Sequence, residues 1–286
     1  MDGIRGPMIT NETVNRAIDY ILQHAKEDVT LEDVADYCHF SKYYFSRLFK
    51  KQTGESVYAF IKRVRLEQSA FRLKVEQDCP ITAIGADYGY SSSNYSTAFR
   101  QHYCMAPVDF RRKSYRNSME HPFFHQERWR IENFEECNAK ITIEEIPDYN
   151  VIYERRIGNY RMLSDDWNGF INKYRKYITE ETKFLERTYD DPAVTCAEHC
   201  LYDICMSVSE DCHLENTMKL QGGRCAVYHF KGHAKYIYAA YQSLFLVWLP
   251  QTGYKLDGSK SLFDIYHKID SDTMYLELDI CLPVFR

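Results

Sequence analysis

The stretch Phe40-Ser41-Lys42-Tyr43-Tyr44-Phe45-Ser46-Arg47-Leu48-Phe49-Lys50-Lys51-Gln52-Thr53-Gly54 has an echo fifty residues later. There the chain reads Tyr90-Ser91-Ser92-Ser93-Asn94-Tyr95-Ser96-Thr97-Ala98-Phe99-Arg100-Gln101-His102-Tyr103-Cys104. Each copy opens with an aromatic residue and a serine. A serine there can accept a hydrogen bond from a backbone N–H of the first helical turn, so it marks a helix start. The aromatic positions Phe45 and Phe49, and Tyr95 and Phe99, recur at helical spacing and belong to a core. Gly54 ends the first copy as a helix C-cap.

The grammar extends outward from both copies. Upstream, Val14, Ala17, Ile18, Ile21 and Leu22 form the apolar stripe of a helix over 11–26. Thr30, with Asp33 three residues on, caps a short helix from Leu31 to Tyr37. Cys38-His39-Phe40 is the tight connection to the next helix. Val34-Ala35 matches Ile84-Gly85, and Phe60 matches Phe110. A long helical stretch from about Ser56 to Leu73 joins the copies, and Pro80 opens the second. A short helix, a turn and a second helix make a helix-turn-helix, and internal repetition turns this common pattern into a specific layout.

Residues 8–116 resemble the DNA-binding domain of AraC/XylS-type transcription regulators. The marks are Leu31-x-x-Val34-Ala35, Ser41-x-x-x-Phe45-Ser46-Arg47-x-Phe49-Lys50-Lys51-x-x-Gly54, Arg65-Leu66-x-x-x-Ala70, Ile81-x-x-Ile84, Gly89-Tyr90 and Pro107-x-x-Phe110-Arg111. Two features depart from the pattern. Gly89 to Phe99 is one residue shorter than the family's spacing, and Cys104 stands where the family has glycine. The shortening puts base reading by the second recognition helix in question.

Side chains near the start of a recognition helix reach base edges in the major groove. In the first unit these are Lys42, Tyr43, Ser46 and Arg47. Arg47 suits bidentate binding to guanine, and Tyr43 suits apolar contact with a thymine methyl. In the second unit they are Ser92, Ser93, Asn94, Ser96 and Thr97. Lys50, Lys51 and Arg100 are placed for phosphates, which add affinity without sequence information. The aromatics Phe40, Phe45, Phe49, Phe60, Tyr90, Phe99 and Phe110 are expected in the core.

Beyond residue 116 the grammar changes. The linker 117–138 holds His121-Pro122, Phe123-Phe124 and Trp129, and is expected to pack rather than to flex. Residues 139–286 alternate strand-like runs (140–146, 149–156, 226–230, 274–280) with helical runs (163–178, 233–248). Asp203-Ile204-Cys205-x-x-Val208 returns as Asp279-Ile280-Cys281-x-x-Val284, which implies two β-α-β-β halves forming one curved sheet. The expected architecture is thus multidomain: an all-α double helix-turn-helix domain over 1–116 and an α+β domain over 139–286.

The back half resembles the GyrI-like effector-binding domain of Rob-type regulators. The matching pieces are Ile146-Pro147, Tyr153 with Gly158, Asp191-Pro192, Tyr202-Asp203, Gly222-Gly223-x-x-Ala226-Val227-Tyr228, Trp248-Leu249-Pro250-x-x-Gly253-Tyr254, Phe263-Asp264-Ile265-Tyr266 and Ile280-x-Leu282-Pro283-Val284. The resemblance implies a small-molecule pocket. Its expected acidic base is Asp264, where relatives carry Glu. Its expected walls are Tyr153, Tyr160, Trp167, Trp248, Phe263 and Tyr266. Aromatic faces with a carboxylate attract hydrophobic cations.

Charge follows the same division. Residues 1–116 hold 17 Lys and Arg against 14 Asp and Glu, and residues 117–286 hold 19 against 27. A net charge of −5 excludes a generic polyanion binder. Met1-Asp2-Gly3-Ile4-Arg5 lacks the pattern of a secretory signal, so a cytoplasmic protein with reduced cysteines is expected. Cys196, His199, Cys200, Cys205, Cys212 and His213 do not match a standard zinc spacing. No phosphate loop, GxSxG elbow or HExxH occurs, so neither a cofactor nor a metal is implied.

The reading is a transcription regulator, not an enzyme. Its partners are double-stranded DNA and a small hydrophobic or cationic effector, with RNA polymerase as a further partner and no membrane. It is a monomer or a homodimer. Two alternatives stand beside it: a sequestration protein with constitutive DNA binding, and a small-molecule hydrolase in which Asp264 serves as base.

Overall fold

A computed structural model describes residues 8–124, 131–160, 163–270 and 272–286. Trp129 of the linker and the first seven residues lie outside that range. The chain divides into two compact units. One comprises residues 7–119 with 191–196, and the other 120–190 with 197–286.

The first unit is helical. A two-residue strand β1 (Met8–Ile9) precedes α1 (Glu12–Gln23), and Asn15 of α1 donates to the Ile9 carbonyl at 3.1 Å. Then come α2 (Leu31–Tyr37), α3 (Lys42–Thr53), α4 (Val57–Val75), α5 (Ile81–Asp87), α6 (Ser92–Tyr103) and α7 (Pro107–Met119). The helices begin where the caps say. Thr30 and Asp33 form a complete capping box, while Ser41, Ser56 and Ser91 each accept from a first-turn N–H. The aromatic repeat fills the core: Phe45, Phe49 and Phe60 are buried around the first pair, and Tyr95, Phe99 and Phe110 around the second. Phe49 meets Phe60 edge-on at 5.3 Å, and Phe99 meets Phe110 in the same way at the same distance.

Phe40 differs from the expectation. It is 38% exposed and stacks on Tyr44 at 5.3 Å. It lies in the turn before α3, outside the helical stripe that buries Phe45 and Phe49. Tyr90, at the matching place, is half-buried.

The turns repeat as well. His39 and Gly89 both hold positive φ between the paired helices (60° and 79°), and Gly54 and Cys104 do so at the C-caps (84° and 55°). Both recognition helices are 12 residues long, so α6 is as long as α3.

The second unit is a sheet with helices. After α8 (Phe134–Asn138) come β2 (Ile141–Ile146), β3 (Tyr149–Ile157), α9 (Leu163–Tyr174), β4 (Phe184–Thr188), β5 (Leu201–Ser207), β6 (Thr217–Leu220) and β7 (Gly223–His233). Next are α10 (Ile237–Ser243), a π-helical turn (Leu244–Trp248), β8 (Lys255–Leu256), β9 (Leu262–Asp270) and β10 (Tyr275–Phe285). The halves β3-α9-β4-β5 and β7-α10-β9-β10 form one antiparallel sheet in the order β3-β5-β4-β9-β10-β7-β2. They meet where β4 pairs β9, with Glu186 opposite Asp264. The outer strands are exchanged. β2 precedes β3 in the chain but pairs β7, and β6 precedes β7 but pairs β3.

Successive strand residues face opposite sides of a sheet. One face carries Val151, Tyr153, Leu185, Cys205, Val227, Phe263, Ile265 and Cys281. The other carries Ile152, Tyr202, Ile204 and Met206, packed against Trp167, Phe170 and Tyr174 of α9. Along β3, β4 and β5 both faces are buried, so these strands show no clean alternation of polarity.

Candidate nucleic-acid interface and effector site

The N-terminal half of α3 is open to solvent. Lys42, Tyr43, Arg47, Lys50 and Lys51 are exposed, and Ser46 is half-buried. Tyr43 is 75% exposed, with the Arg47 guanidinium 5.8 Å from its ring centre. The ring and the guanidinium support each other on this exposed surface. Lys42 is held by Glu32 of α2. Tyr44, exposed and stacked on Phe40, belongs to the same surface. Sequence reasoning missed it, although its position beside Tyr43 in the first turn was the available signal.

On α6, Ser92, Ser93, Asn94, Ser96, Thr97 and Arg100 are exposed. Ser96 and Thr97 turn their hydroxyls inward, to the carbonyls of Ser92 at 3.2 Å and Ser93 at 3.0 Å. Each hydroxyl has thus given its proton to the helix and keeps only acceptor capacity toward a partner. Several basic side chains of α4 are spent within the unit. Arg63 bridges Glu55 and Glu67, Arg65 caps the Ala25 carbonyl at 3.1 Å, and Arg72 pairs with Glu76 and Asp87. The exposed positive charge therefore lies on α3 more than on α4.

In the second unit, Asp264 is buried at 2% exposure on the α9/α10 face of the sheet. The Tyr241 hydroxyl of α10 donates to its Oδ1 at 2.6 Å. Its partner across β4/β9 is Glu186, 4% exposed, whose Oε2 accepts from the Tyr266 hydroxyl at 3.0 Å. Burial pushes Glu186 up to about 7, against the pull of Tyr266 and Trp167, which both donate toward it. Burial, and then the neighbouring Glu186, drive Asp264 well above the ordinary carboxylate range, with Tyr241 pulling the other way. The two acids are a coupled pair at the seam of the halves.

Trp167 of α9 stands edge-on to Tyr266 at 5.5 Å, and the Tyr160 ring lies tilted against Tyr202 at 5.0 Å. The α9 helix is pinned by polar contacts. Tyr202 donates to Asp166 at 2.8 Å, and Arg156 lies between Asp166 at 3.2 Å and Glu154 at 3.3 Å.

The structure thus gathers Asp264, Tyr266, Trp167 and Tyr160 on one face. Tyr153 and Phe263 point into the core of the opposite face. Trp248 lies apart, donating from Nε1 to Asn138 at 2.9 Å and stacked on Tyr254. Phe263 and Asp264 are consecutive in a strand, so the period of two already separates them. Sequence reasoning missed Glu186 and Tyr241. Tyr241 falls on the inward stripe of an apolar helix, and Glu186 lies in a five-residue strand. Among the described residues no group of three or more His, Cys, Asp or Glu is arranged to hold a metal ion. Cys200 and Cys205 are buried. No helix among the described residues is long and apolar enough to cross a membrane.

Comparison with known proteins matches the two units separately. Residues 139–284 match the GyrI-like small molecule binding domain, and residues 34–113 match a helix-turn-helix domain. The chain is similar to the regulatory protein PocR of Salmonella typhimurium, 38% identical over 119 residues, which is 41% of this chain and 38% of PocR. It is also 29% identical to the multiple antibiotic resistance protein MarA of Escherichia coli over 100 residues, 35% of this chain and 78% of MarA. The solved C-terminal domain of EcmrR is 17% identical and covers 51% of this chain and 97% of its own, with a TM-score of 0.44. The chain therefore spans well under half the length of PocR. With its match to the GyrI-like small molecule binding domain over half its length and a helix-turn-helix domain ahead of it, the chain belongs to the GyrI-like family.

Proposed function

We propose that the DNA-reading function belongs to residues 1–116 and the effector function to residues 139–286, and that the effector is a hydrophobic cation. The α3 helix supplies base recognition through Tyr43, Ser46 and Arg47, with Lys50 and Lys51 on phosphates. The α6 helix enters the next major groove, about one helical turn or roughly 34 Å away. With both units in one chain, a monomer spans the two half-sites. The chain acts in the cytoplasm by binding rather than by turnover, with RNA polymerase as a further partner. The regulators PocR and MarA support a non-enzymatic role.

One observation carries the effector reading: Asp264 and Glu186 face each other as buried register partners, each with a tyrosine donor. Two adjacent buried acids are costly unless they share protons or receive a cation. A bound cation replaces the protons, and a ligand that binds two conformations of the chain unequally shifts the population between them.

The test is binding of tetraphenylphosphonium to the full chain at pH 6 and pH 8. Because protons must leave the pair for the cation to enter, binding is expected to tighten as pH rises through about 7. Asp264→Asn and Glu186→Gln should weaken it. Affinity indifferent to pH and to both substitutions would overturn the reading.

A further inference from the structure

Asp191-Pro192 is a mark of the GyrI-like pattern that the effector site does not use. Residues 191–196 form a turn that groups with the helices, while the chain on either side of them belongs to the sheet unit. Asp191 itself builds the turn. Its carbonyl accepts from the Val194 and Thr195 N–H groups, each at 2.8 Å, and its Oδ1 accepts from the Ala193 N–H at 2.8 Å. Its Oδ2 accepts from the ammonium of Lys74, the penultimate residue of α4. Both side chains of this ion pair are sealed from water, Lys74 at 1% exposure and Asp191 at 3%, and Val194 and Thr195 are buried too. A buried ion pair adds little stability over an apolar pair of the same volume, because both charges have lost their hydration. Its effect is to fix one segment at one place, since either charge alone would be stranded.

At the other end of the same stretch is an effector acid. Glu186 stands five residues before Asp191, and the residues between them are tied to β5 or its entry. Arg187 donates from Nε and Nη2 to Asp203 at 2.9 and 2.7 Å, and Tyr189 donates to Asp203 at 2.7 Å. Thr188 stays in the ladder opposite Tyr202, and Asp190 accepts from the Leu201 N–H at 2.6 Å. An extended, tied stretch passes a shift along its length, where a slack loop would absorb it.

We propose that the Lys74–Asp191 clasp carries the state of the acid pair to α4, the helix that joins the two helix-turn-helix pairs. The inference rests on the cation reading and on the DNA-reading role of the helical unit. Entry of a cation beside Glu186 shifts β4, the 191–196 turn shifts with it, and the end of α4 follows. DNA affinity then depends on what occupies the pair. Lys74 and Asp191 are positioning residues, apart from those assigned to DNA and to the effector.

The test compares the full chain with Lys74→Met/Asp191→Asn, which removes both charges and keeps an oxygen for the Ala193 N–H. A labelled duplex selected from a random pool is titrated with each protein at pH 8, with and without saturating tetraphenylphosphonium. The cation should change the wild-type Kd for DNA by about fivefold or more, and that of the double variant by less than about twofold. Calorimetric affinity for the cation, and DNA affinity without it, should stay within about twofold of wild type, which an unfolded variant would not match. An equal response in both proteins would overturn the clasp. So would a wild-type chain that binds the cation with no change in DNA affinity, and either result leaves the cation reading standing. Absence of cation binding overturns that reading and this inference with it. A second measurement needs no variant. Amide hydrogen exchange at Ala193, Val194 and Thr195 of the wild-type chain should change by about fivefold or more when the cation binds. Exchange there that ignores the bound cation would overturn the clasp even if the double variant fails to fold.

Discussion

The two helix-turn-helix units share length, caps and core geometry, yet their outer surfaces differ in kind. The first presents a ring, a guanidinium and three lysines. The second presents short hydroxyls, one amide and, further along, the single guanidinium of Arg100, and two of the hydroxyls are already bonded to the carbonyls of their own helix. On the proposed DNA-binding role, the same scaffold would separate two tasks that are often merged, namely being placed in a groove and reading what is there. A repeat keeps its buried positions because packing penalises change by kilocalories, while its exposed positions drift or specialise at little cost to stability.

The sharpest break of this asymmetry is Arg47→Ala. It should cost about 1–3 kcal/mol of DNA binding and relax specificity at one position, read by titration of selected duplexes. Unchanged affinity for the best site would remove α3 from the groove. Next comes Gly85→Ala. A methyl there would lie 2.7 Å from Tyr95 Cγ, so a stability loss of about 1–3 kcal/mol is expected by denaturant unfolding. The first unit already has alanine at the matching place, Ala35, and the reverse change Ala35→Gly should cost only about 1 kcal/mol. Cys104→Gly runs the other way. It places glycine at φ 55°, where the first unit has Gly54, and should stabilise the chain by about 1 kcal/mol, seen as a raised Tm. The smallest effect belongs to Thr97→Ala, the counterpart of Arg47→Ala. A change in DNA affinity below about 0.5 kcal/mol is expected, and a loss as large as that of Arg47→Ala would abolish the asymmetry.

Much of this was legible before any coordinates. The helical unit could be read because its aromatic spacing, serine caps and fifty-residue period all fall on single helices, where local sequence is decisive. The turn position of Phe40 was not legible, because an aromatic before a cap looks the same whether it faces in or out. In the sheet unit the two-half repeat was visible in Asp203-Ile204-Cys205 and Asp279-Ile280-Cys281. The face of each residue was harder to read, since both faces are buried and polarity does not alternate. Asp264 stood out as a charge in an apolar run. Glu186 did not, because its strand is only five residues long and carries Arg187 beside it, so no apolar run set the acid apart. Only the pairing of β4 with β9 brings Glu186 opposite Asp264.

The exchanged outer strands have a temporal consequence. Ile141 must wait for Tyr228 to be synthesised before β2 has a partner, and Tyr149 must wait for Leu220 before β6 can cover β3. Contacts so distant along the chain form late, whereas α1 to α7 close through neighbours. As the polypeptide leaves the ribosome, residues 8–119 have their helices before the sheet has its edges. A newborn chain therefore passes through an interval in which its helices are packed while its sheet still lacks its outer strands.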